Sequence, residues 1–298
     1  MNKGIVIAGP TGVGKTSLSI KLAKKIDADI ISSDSMQVYK YMDIGTAKIT
    51  KNEMEGVKHY LIDEIEPTHK YSVGEYYNRV NEVLSNLNGK NVILAGGTGL
   101  YIRSITEGLS SLPESNLEIR KELLKYTLEE LCEKLKKIDI EAYKAIDLKN
   151  RIRVERALEV CLITNEKYSK LRNKNIKNNN YTFIKIGLKR DREILYNRIN
   201  KRVDIMFNEG LLNEAKFLYE NYKKGIENIK AIGYKELFLY FEGKITLNEA
   251  KEIIKRETRR YAKRQFTWFN KEKDIIWFDL DKQAEEEIIE NILEIFNV

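Results

Sequence analysis

The sequence predicts an α/β protein in which helices flank a parallel sheet and a small all-helical insertion domain interrupts it. Short apolar, β-branched runs alternate with amphipathic stretches of helical spacing, and this alternation is typical of a parallel doubly wound sheet. A glycine-rich turn at residues 9–16 joins the first apolar run to the first amphipathic stretch. Strand signals are missing from about residue 114 to 171 and then resume, which predicts the insertion.

The composition favours a globular protein with an anionic partner. The chain has 298 residues and a formal net charge of +7, for which a Lys-rich solvated surface is the alternative explanation. No apolar run approaches the roughly 20 residues of a membrane span, and the first residues lack a secretion signal. Cys132 and Cys161 have no metal-site spacing and suit a reducing compartment. We therefore expect a cytoplasmic location and no membrane partner.

The first strand, the glycine-rich turn and the first helix form a phosphate-binding motif. The strand covers residues 4–8, and Leu18, Leu22 and Ile26 recur at helical spacing after the turn. Glycines in such a turn let backbone N–H groups surround an anion, and the helix N-terminus adds partial positive charge. The core is thus predicted to be of the P-loop type, although a chance glycine-rich turn is the alternative. A diphosphate or polyphosphate is expected on Gly9, Pro10, Thr11, Gly12, Val13, Gly14, Lys15 and Thr16.

The last two residues of the turn carry the chemistry of the motif. Lys15 can neutralise a terminal phosphate, and the Thr16 hydroxyl can coordinate Mg²⁺. Many phosphate-loop nucleotidases add an acidic metal partner after another strand, but the run that ends at Ala95 offers none. Mg²⁺ is therefore expected to rest on Thr16, phosphate oxygens and water, which suits a diphosphate more than triphosphate hydrolysis. Asp63 is the alternative acid.

The next strands and helices place a carboxylate near this turn. A second strand at residues 29–34 ends at Asp34, and a third is predicted at residues 60–63. A helix at residues 73–87 precedes a fourth strand at residues 91–95, which leads into a second glycine-rich turn that contains Thr98. Ligands of open α/β sheets collect beyond the carboxyl ends of the strands, so Asp34 is expected near the phosphate loop. Capping of the following turn is its alternative role.

Three segments are predicted: a P-loop core at residues 1–112, a helical insertion at 113–180, and a completion of the core with basic C-terminal helices at 181–298. An apolar stripe is expected in the insertion, formed by Leu124, Leu128, Leu131 and Leu135. A further helix at residues 150–163 sets Arg153 and Arg156 on one side, with Lys149 just before it. The polar tract at residues 173–180 is predicted to be an exposed linker or loop tip.

The last segment opens with a strand at residues 181–188 and is then mostly helical. One long helix is expected to bury Leu195, Ile199, Val203, Met206 and Leu211. Arg198 and Arg202 lie four residues apart on another face of that helix. A strand at residues 274–280 and an amphipathic helix end the chain.

A later helix of this segment is densely basic. Residues 256–264 contain five basic side chains in nine, and the aromatic residues Phe266 and Trp268, which we expect in the core, follow closely. Such a face can contact a nucleic-acid backbone and exposed bases. A solvated helix face is the alternative, but the insertion adds a second basic face, so RNA is favoured.

Seven stretches of the chain match a known enzyme family in their order. They are GPTGVGKT, ISSDSMQVYKYMDIGTAK, HYLIDEIEP, AGGTGLYI, RALEV, AIGYKE and KRQFTWF. Together they resemble the bacterial tRNA dimethylallyltransferases, of the tRNA isopentenyltransferase family, over nearly the whole chain. The resemblance implies transfer of a dimethylallyl group from its diphosphate to the exocyclic amine of an adenosine. That adenosine lies just 3′ of the anticodon in tRNAs that read codons beginning with U.

The resemblance also implies roles for individual residues. The diphosphate loop corresponds to Thr11 through Thr16, the catalytic base to Asp34, and a diphosphate-side arginine to Arg202. Lys15 and Thr16 complete the catalytic set, with Thr16 as the metal ligand. The resemblance assigns a contact with tRNA to Thr98. Together with the basic faces described above, the full set of expected tRNA-binding residues is Asp34, Ser35, Met36, Gln37, Thr98, Arg120, Arg153, Arg156, Arg256, Arg260 and Lys263. Two positions depart from the family pattern: Tyr60 replaces a frequent histidine, and Asn270 replaces an arginine that commonly follows TWF.

The expected partners are a tRNA anticodon stem-loop and dimethylallyl diphosphate, with Mg²⁺ as cofactor. The sequence contains no long heptad repeat of the kind that indicates a coiled-coil dimer. A monomer is expected. An adenine amine is a weak nucleophile, and a positioned base such as Asp34 is typically worth about 10²–10⁴ in rate. Lys15, the loop N–H groups and Arg202 can stabilise the departing diphosphate. The target nucleotide must leave its stack to reach the donor carbon.

Three other functions are compatible with parts of the sequence. A P-loop small-molecule kinase also places an aspartate after its second strand, but it does not need a remote basic face. A non-enzymatic RNA-binding protein explains the basic faces and leaves Asp34 and the phosphate loop without a role. An adenylate prenyltransferase shares the chemistry, and the helical insertion favours tRNA over free adenylate.

Overall fold

The computed structural model describes residues 2–177, 179–229, 231–272 and 274–297. In chain order its first elements are β1 (Asn2–Ala8), α1 (Lys15–Ile26), β2 (Asp29–Ser32), β3 (His59–Tyr60), α2 (Val73–Asn86), β4 (Val92–Gly96), α3 (Gly99–Glu107), β5 (Leu109–Ser110), α4 (Leu117–Leu123), α5 (Leu128–Ile138) and α6 (Ile140–Ala145). The remaining elements are α7 (Arg151–Thr164), α8 (Tyr168–Leu171), β6 (Asn175–Ile176), β7 (Tyr181–Lys189), α9 (Arg192–Asn208), α10 (Leu211–Ile229), α11 (Tyr234–Phe241), α12 (Leu247–Phe269), β8 (Ile275–Asp279) and α13 (Glu285–Asn297).

The chain divides into two compact units. Met1–Thr106 and Asn179–Val298 form one of them, here called the core unit. Glu107–Asn178 form the other, the insertion unit, against a predicted insertion at 113–180. No helix in the described part of the chain is long and apolar enough to cross a membrane.

The core unit is built on a sheet whose strands all run parallel. Within the described residues it has six strands in the order β3-β2-β4-β1-β7-β8. The central strands β1 and β4 are mainly apolar, and Ile5, Ile7 and Ile93 are completely buried. This confirms the predicted α/β class with a parallel sheet flanked by helices. Because β1, β2 and β4 are parallel neighbours, the loops after them open at one edge of the sheet.

Close approach at that edge requires glycine. A Cβ on Gly96, at the end of β4, would lie 2.2 Å from the Ser33 carbonyl oxygen of the neighbouring strand end. Gly9, directly after β1, adopts φ of +153°, and a Cβ there would lie 2.7 Å from the Leu188 carbonyl oxygen. These glycines thus let the ends of four strands, β4 with β2 and β1 with β7, approach one another closely.

Several predicted elements differ from the observed ones in the core unit. The third strand ends at Tyr60 and not at residue 63, because Leu61 and Asp63 adopt φ of +60° and +58°, which no strand accommodates. The predicted long helix is two helices: Gly210, with φ of +105°, separates α9 from α10, so Leu211 packs from the second helix. Phe266 is 36% exposed, and Phe269 is the aromatic residue buried at the end of α12.

The insertion unit is mainly but not entirely helical. It contains α4 to α8, and the two-residue strands β5 and β6 pair antiparallel within it. Leu131 and Leu135 of α5 are completely buried with Val154 and Leu158 of α7. Leu124 does not share their stripe, since it caps the preceding helix and is 66% exposed.

Candidate active site

A pocket of about 450 Å³ lies in the core unit at the carboxyl edge of the sheet; we call it the large pocket. The phosphate loop lines one side with Thr11, Gly12, Gly14, Lys15 and Thr16. The loops after β2 and the helix α9 line the rest, with Asp34, Gln37, Thr46, Arg198, Lys201 and Arg202. Asp34 is the one carboxylate among these described lining residues, so the pocket is strongly cationic.

The phosphate loop has the backbone that its glycines predict. Gly12 and Gly14 adopt φ of +80° and +119°, and α1 begins directly after Gly14. These conformations disfavour any residue with a Cβ. Val13, between them, buries its side chain completely and anchors the loop in the core. The loop therefore presents its N-terminal helix end to the large pocket, as an anion site requires.

Lys15 is held by the loop to which it belongs. Its Nζ donates to the carbonyl oxygens of Gly9 and Pro10, at 2.9 Å each. Burial lowers the pKa of the Lys15 ammonium to about 8, although nearby Asp34 raises it and Arg202 lowers it further. Lys15, Asp34 and Arg202 therefore act on one another electrostatically, as their predicted roles require.

Asp34 lies beside the phosphate loop, and it also caps the turn that follows β2. Its Oδ1 accepts the backbone N–H of Met36 at 2.9 Å, while its carboxylate lines the large pocket. The next residue, Ser35, donates its N–H to Thr98 Oγ1 at 3.1 Å. Thr98 is thus brought to Asp34 from the second glycine-rich turn, and the predicted capping and the predicted proximity of Asp34 occur together.

Two arginines of α9 face the phosphate loop. Arg202 places its guanidinium 3.5 Å from Thr11 Oγ1 and 3.5 Å from the Ala47 carbonyl oxygen. Arg198 donates from Nε to the Gly12 carbonyl oxygen at 3.0 Å. Burial lowers the pKa of both guanidinium groups from its usual value, which makes an anionic partner in this pocket favourable. Sequence reasoning noted the spacing of the pair but assigned no role to Arg198.

A second pocket of about 90 Å³ adjoins the large pocket; we call it the apolar pocket. The two share Thr11, Asp34, Thr46 and Arg202. Its remaining lining is mainly aliphatic and includes Met36, Ile199, Val203, Met206, Leu211 and Ile232. Asp34 and Arg202 thus stand where a cationic pocket meets an apolar one.

Gln265 ties the two glycine-rich turns together, a role that sequence reasoning missed. Its Oε1 accepts the N–H of Thr11 at 2.9 Å, and its Nε2 donates to the Gly97 carbonyl oxygen at 3.0 Å. A Cβ on Gly97 would lie 2.0 Å from that amide nitrogen. The signal for this role is the KRQFTWF stretch, in which the buried Gln265 directly follows two basic residues.

The basic residues expected on α12 lie at the surface of the core unit. Arg256 and Arg260 both pair with Glu257, at 3.4 and 2.7 Å. Lys263 is exposed. Glu257 thus offsets one of the three positive charges, and the face remains basic.

Two of the expected tRNA-binding residues of the insertion unit have another partner. The guanidinium groups of Arg120 and Arg156 hold the completely buried Glu159, at 2.8 and 2.6 Å, and Arg156 also donates to the Pro113 carbonyl oxygen at 2.6 Å. Both guanidinium groups thus pair with a carboxylate that needs partners because it is buried, and contact of Arg120 and Arg156 with tRNA stays a prediction. Arg153, on the same helix, is exposed.

The alternative metal partner and the two departures from the family pattern have structural roles. Asp63 and Asp43 both pair with the buried Lys48. Asp63 is not among the residues that line the large pocket. Tyr60 donates its hydroxyl to Asp29 at 3.1 Å, and Asn270 caps the end of α12 through its backbone. Among the described residues no three His, Cys, Asp or Glu side chains form a metal cluster.

Comparison with known proteins identifies the family of the chain. The family described as IPP transferase matches residues 37–272. A curated tRNA dimethylallyltransferase from Fusobacterium nucleatum is 53% identical over 298 residues, which covers 100% of this chain and 98% of that protein. A solved tRNA isopentenylpyrophosphate transferase from Bacillus halodurans matches with a TM-score of 0.74 and 41% identity, over 99% and 96% of the two chains.

A more distant solved structure agrees with these matches. It is a eukaryotic dimethylallyltransferase acting on tRNA, 29% identical, with a TM-score of 0.83 over 98% of this chain and 80% of that one. The similarity therefore extends over both units of the chain, at 29–53% identity in these three matches, and it includes the loop, the strands and α9 that form the two pockets. The chain belongs to the IPP transferase family, the family of the tRNA dimethylallyltransferases.

Proposed function

We propose that the chain transfers a dimethylallyl group from dimethylallyl diphosphate to the exocyclic amine of an adenosine in tRNA, with release of diphosphate. The observation that carries the proposal is the position of Asp34, where a cationic pocket and an apolar pocket meet. Membership of the family supports the acceptor: the adenosine 3′ of the anticodon in tRNAs that read codons beginning with U.

The two pockets match the two halves of this donor. The diphosphate would lie on the loop N–H groups, with Lys15, Arg198 and Arg202 as its cationic partners. The dimethylallyl group has no polar atoms, and the adjoining aliphatic pocket of about 90 Å³ suits a group of that kind. The reacting carbon of the donor would then lie beside Asp34.

The reaction forms one bond and breaks one. The adenine nitrogen attacks the first carbon of the dimethylallyl group. The bond between that carbon and the diphosphate oxygen breaks, and its electron pair stays on the diphosphate oxygen. Asp34 takes the proton that the amine loses as the new C–N bond forms. Lys15, Arg202 and the loop N–H groups stabilise the negative charge that develops on the diphosphate.

We expect Mg²⁺ to accompany the diphosphate. The Thr16 hydroxyl would hold it, with phosphate oxygens and water as the other ligands, and the ion would offset charge on the leaving group. No ATP is consumed in this reaction. Full turnover in excess chelator would contradict the metal requirement. Faster turnover on addition of ATP would contradict the claim that the reaction uses no ATP.

Transfer of label tests the function directly. The protein is incubated with dimethylallyl diphosphate labelled in the prenyl group, or with ATP labelled in the γ-phosphate, and unmodified tRNA or AMP is the acceptor. We expect label from the prenyl donor on tRNA alone. Label on AMP would favour an adenylate prenyltransferase, and label from ATP on a small acceptor would favour a kinase. We also propose that the protein acts in the cytoplasm. We propose further that it acts as a monomer, which sedimentation of the tRNA complex can check.

A further inference from the structure

The loop at residues 43–48, here called the wall loop, borders both pockets. Thr46 lines both of them. The Ala47 carbonyl oxygen faces the Arg202 guanidinium at 3.5 Å and the Gln37 amide at 3.3 Å. Ala47 adopts φ of +48°, which is uncommon for a residue with a Cβ and must be imposed by its surroundings. Among the described residues, the wall loop is therefore one of the two hydrogen-bond partners of the Arg202 guanidinium, the other being Thr11.

One carboxylate from α10 holds the wall loop. Glu214 accepts three consecutive backbone N–H groups, from Asp43 at 2.9 Å, Ile44 at 2.8 Å and Gly45 at 3.0 Å. Hydrogen bonds to an ionised acceptor are shorter and roughly twice as strong as neutral ones. Glu214 does not line either pocket, so it touches the site only through this loop.

Tyr234, at the start of α11, completes the arrangement. Its hydroxyl donates to Glu214 Oε1 at 2.7 Å, and a Cβ on Gly45 would lie 2.6 Å from its ring. Burial and the neighbouring Glu214 carboxylate raise the pKa of Tyr234 well above its usual value, so the hydroxyl stays protonated and remains a donor. The GTAK and AIGYKE stretches, far apart in the sequence, thus meet at Gly45 and Tyr234.

Lys48, at the other end of the wall loop, makes contacts of its own outside the loop and also reaches back to Asp43 at the start of the loop. Lys48 is buried and donates to the Tyr39 carbonyl oxygen at 2.7 Å, and it pairs with Asp43 and Asp63. The loop is therefore held at both ends, while Thr46 and Ala47 between them face the pockets. A change at Glu214 or Tyr234 removes support from the backbone N–H groups of residues 43–45 and leaves the Lys48 contacts with Tyr39 and Asp63 in place.

We propose that Glu214 and Tyr234 are positioning residues for the donor: they hold the wall loop so that Thr46 and Arg202 meet the diphosphate in the geometry needed for attack. The inference rests on the proposed function for its turnover readout and not for its binding readout. The proposal gives a role in the reaction to Glu214 and Tyr234, two residues that line neither pocket.

Two conservative variants test the proposal, each with a matched control. Tyr234→Phe keeps the ring against Gly45 and removes one donor from Glu214, whereas Glu214→Gln removes the charge. Tyr240→Phe on α11 and Glu220→Gln on α10 make the same chemical changes away from the wall loop. The affinity for inorganic diphosphate is measured by calorimetry, and kcat and the donor KM are measured with unmodified tRNA.

We expect weaker diphosphate binding and a fall in donor kcat/KM of about 10- to 100-fold, because small displacements of positioning groups are costly. Amide exchange at residues 43–45 should accelerate in both variants and in neither control. In an Arg202→Ala background, Glu214→Gln should cost little further activity, since the group that it positions is gone.

Unchanged diphosphate affinity in both variants would overturn the proposal, whether or not the wild type transfers the prenyl group. Additive losses with Arg202→Ala would overturn it as well, because a role in stability alone acts equally in both backgrounds. Absence of transfer by the wild type, with diphosphate binding weakened as expected, would contradict the proposed function and leave the positioning role supported.

Discussion

Lys15 links the electrostatics of the site to pH. The loop carbonyls of Gly9 and Pro10 hold its ammonium, and burial lowers its pKa to about 8. A diphosphate close to this group would favour the charged form, because opposite charges nearby raise the pKa of a lysine. Lys15 therefore titrates in a pH range in which Arg202, the other cation expected to contact the diphosphate, stays charged.

The first prediction follows from that titration. Above pH 8 the Lys15 ammonium loses its proton in the protein before donor binds, so donor kcat/KM should fall as the pH rises from 8 to 9.5. The same loss should be absent from Lys15→Arg, which stays charged over this range even though its overall rate is lower. Rate profiles of the two proteins give the comparison, and a wild-type profile that stays level to pH 9.5 would contradict it.

A second prediction at this scale separates the base from the anion site. Asp34→Asn should lower kcat by at least about 10², the low end for a lost general base, with donor and tRNA affinity nearly unchanged. Lys15→Ala should raise the donor KM as well as lower kcat, since it faces the diphosphate before and during reaction. A near-normal kcat for Asp34→Asn would remove Asp34 from the catalytic role.

The helix α7 shows how one element divides its arginines between two tasks. Burial by itself raises the pKa of the Glu159 carboxyl, but hydrogen bonds from Arg120, Arg156 and the Asn116 N–H outweigh it and hold the pKa below its usual value. A carboxyl whose pKa is lowered by folding stabilises the fold above its unfolded pKa, and this contribution disappears as the pH falls through the folded pKa. Arg153, three residues before Arg156, takes no part in this network.

The third prediction compares these two arginines. Arg156→Ala should destabilise the protein by about 1.5–3 kcal/mol, because it removes charge-assisted hydrogen bonds from a buried carboxylate. Arg153→Ala should leave the free energy of unfolding nearly unchanged. Thermal unfolding at pH 7 provides the measurement. Equal stability of the two variants would show that Glu159 does not need Arg156.

The helix α12 shows a comparable division. Its buried side carries Gln265, which joins the two glycine-rich turns, and its exposed side carries Arg260 and Lys263. Gln265 follows Lys263 by two residues and Arg260 by five. Composition alone therefore does not distinguish the buried side of the helix from the exposed side. One helix therefore supports the loop that binds phosphate and presents a basic surface to solvent.

At the scale of the whole molecule, the net charge of +7 is distributed over both units. Lys263 and Arg260 belong to the core unit, and Arg153 belongs to the insertion unit. If these residues contact phosphates of one tRNA, each should contribute to a salt-dependent affinity through release of counterions.

The fourth prediction measures that dependence. Arg153→Ala and Lys263→Ala should each weaken tRNA binding and reduce the slope of log K against log salt by roughly 0.7–0.9. Donor affinity should stay unchanged in both. Arg202→Ala is the opposite control, since its effect should fall on the donor. If the first two variants match the wild type in affinity and slope, the basic surfaces are only solvated charge.

The sequence by itself determined the fold class, the phosphate loop and the proximity of Asp34 to it. These features depend on local signals: apolar runs of strand length, glycines that permit positive φ, and the rule that parallel strands end at one edge. The order of the motifs was enough to indicate the family that the comparisons show. None of this required knowledge of which distant residues touch.

Only the tertiary structure decided the partners of side chains that lie far apart in the chain. Arg120 and Arg156 were expected to bind tRNA, and the structure adds that both pair with a buried glutamate, a partner that neither spacing nor charge reveals. Gln265, Glu214 and Tyr234 were invisible as site-supporting residues because each acts on a backbone segment more than 150 residues away. Periodicity reports which face of an element is buried, but the hydrogen-bond partners of a buried polar group are set by packing between elements.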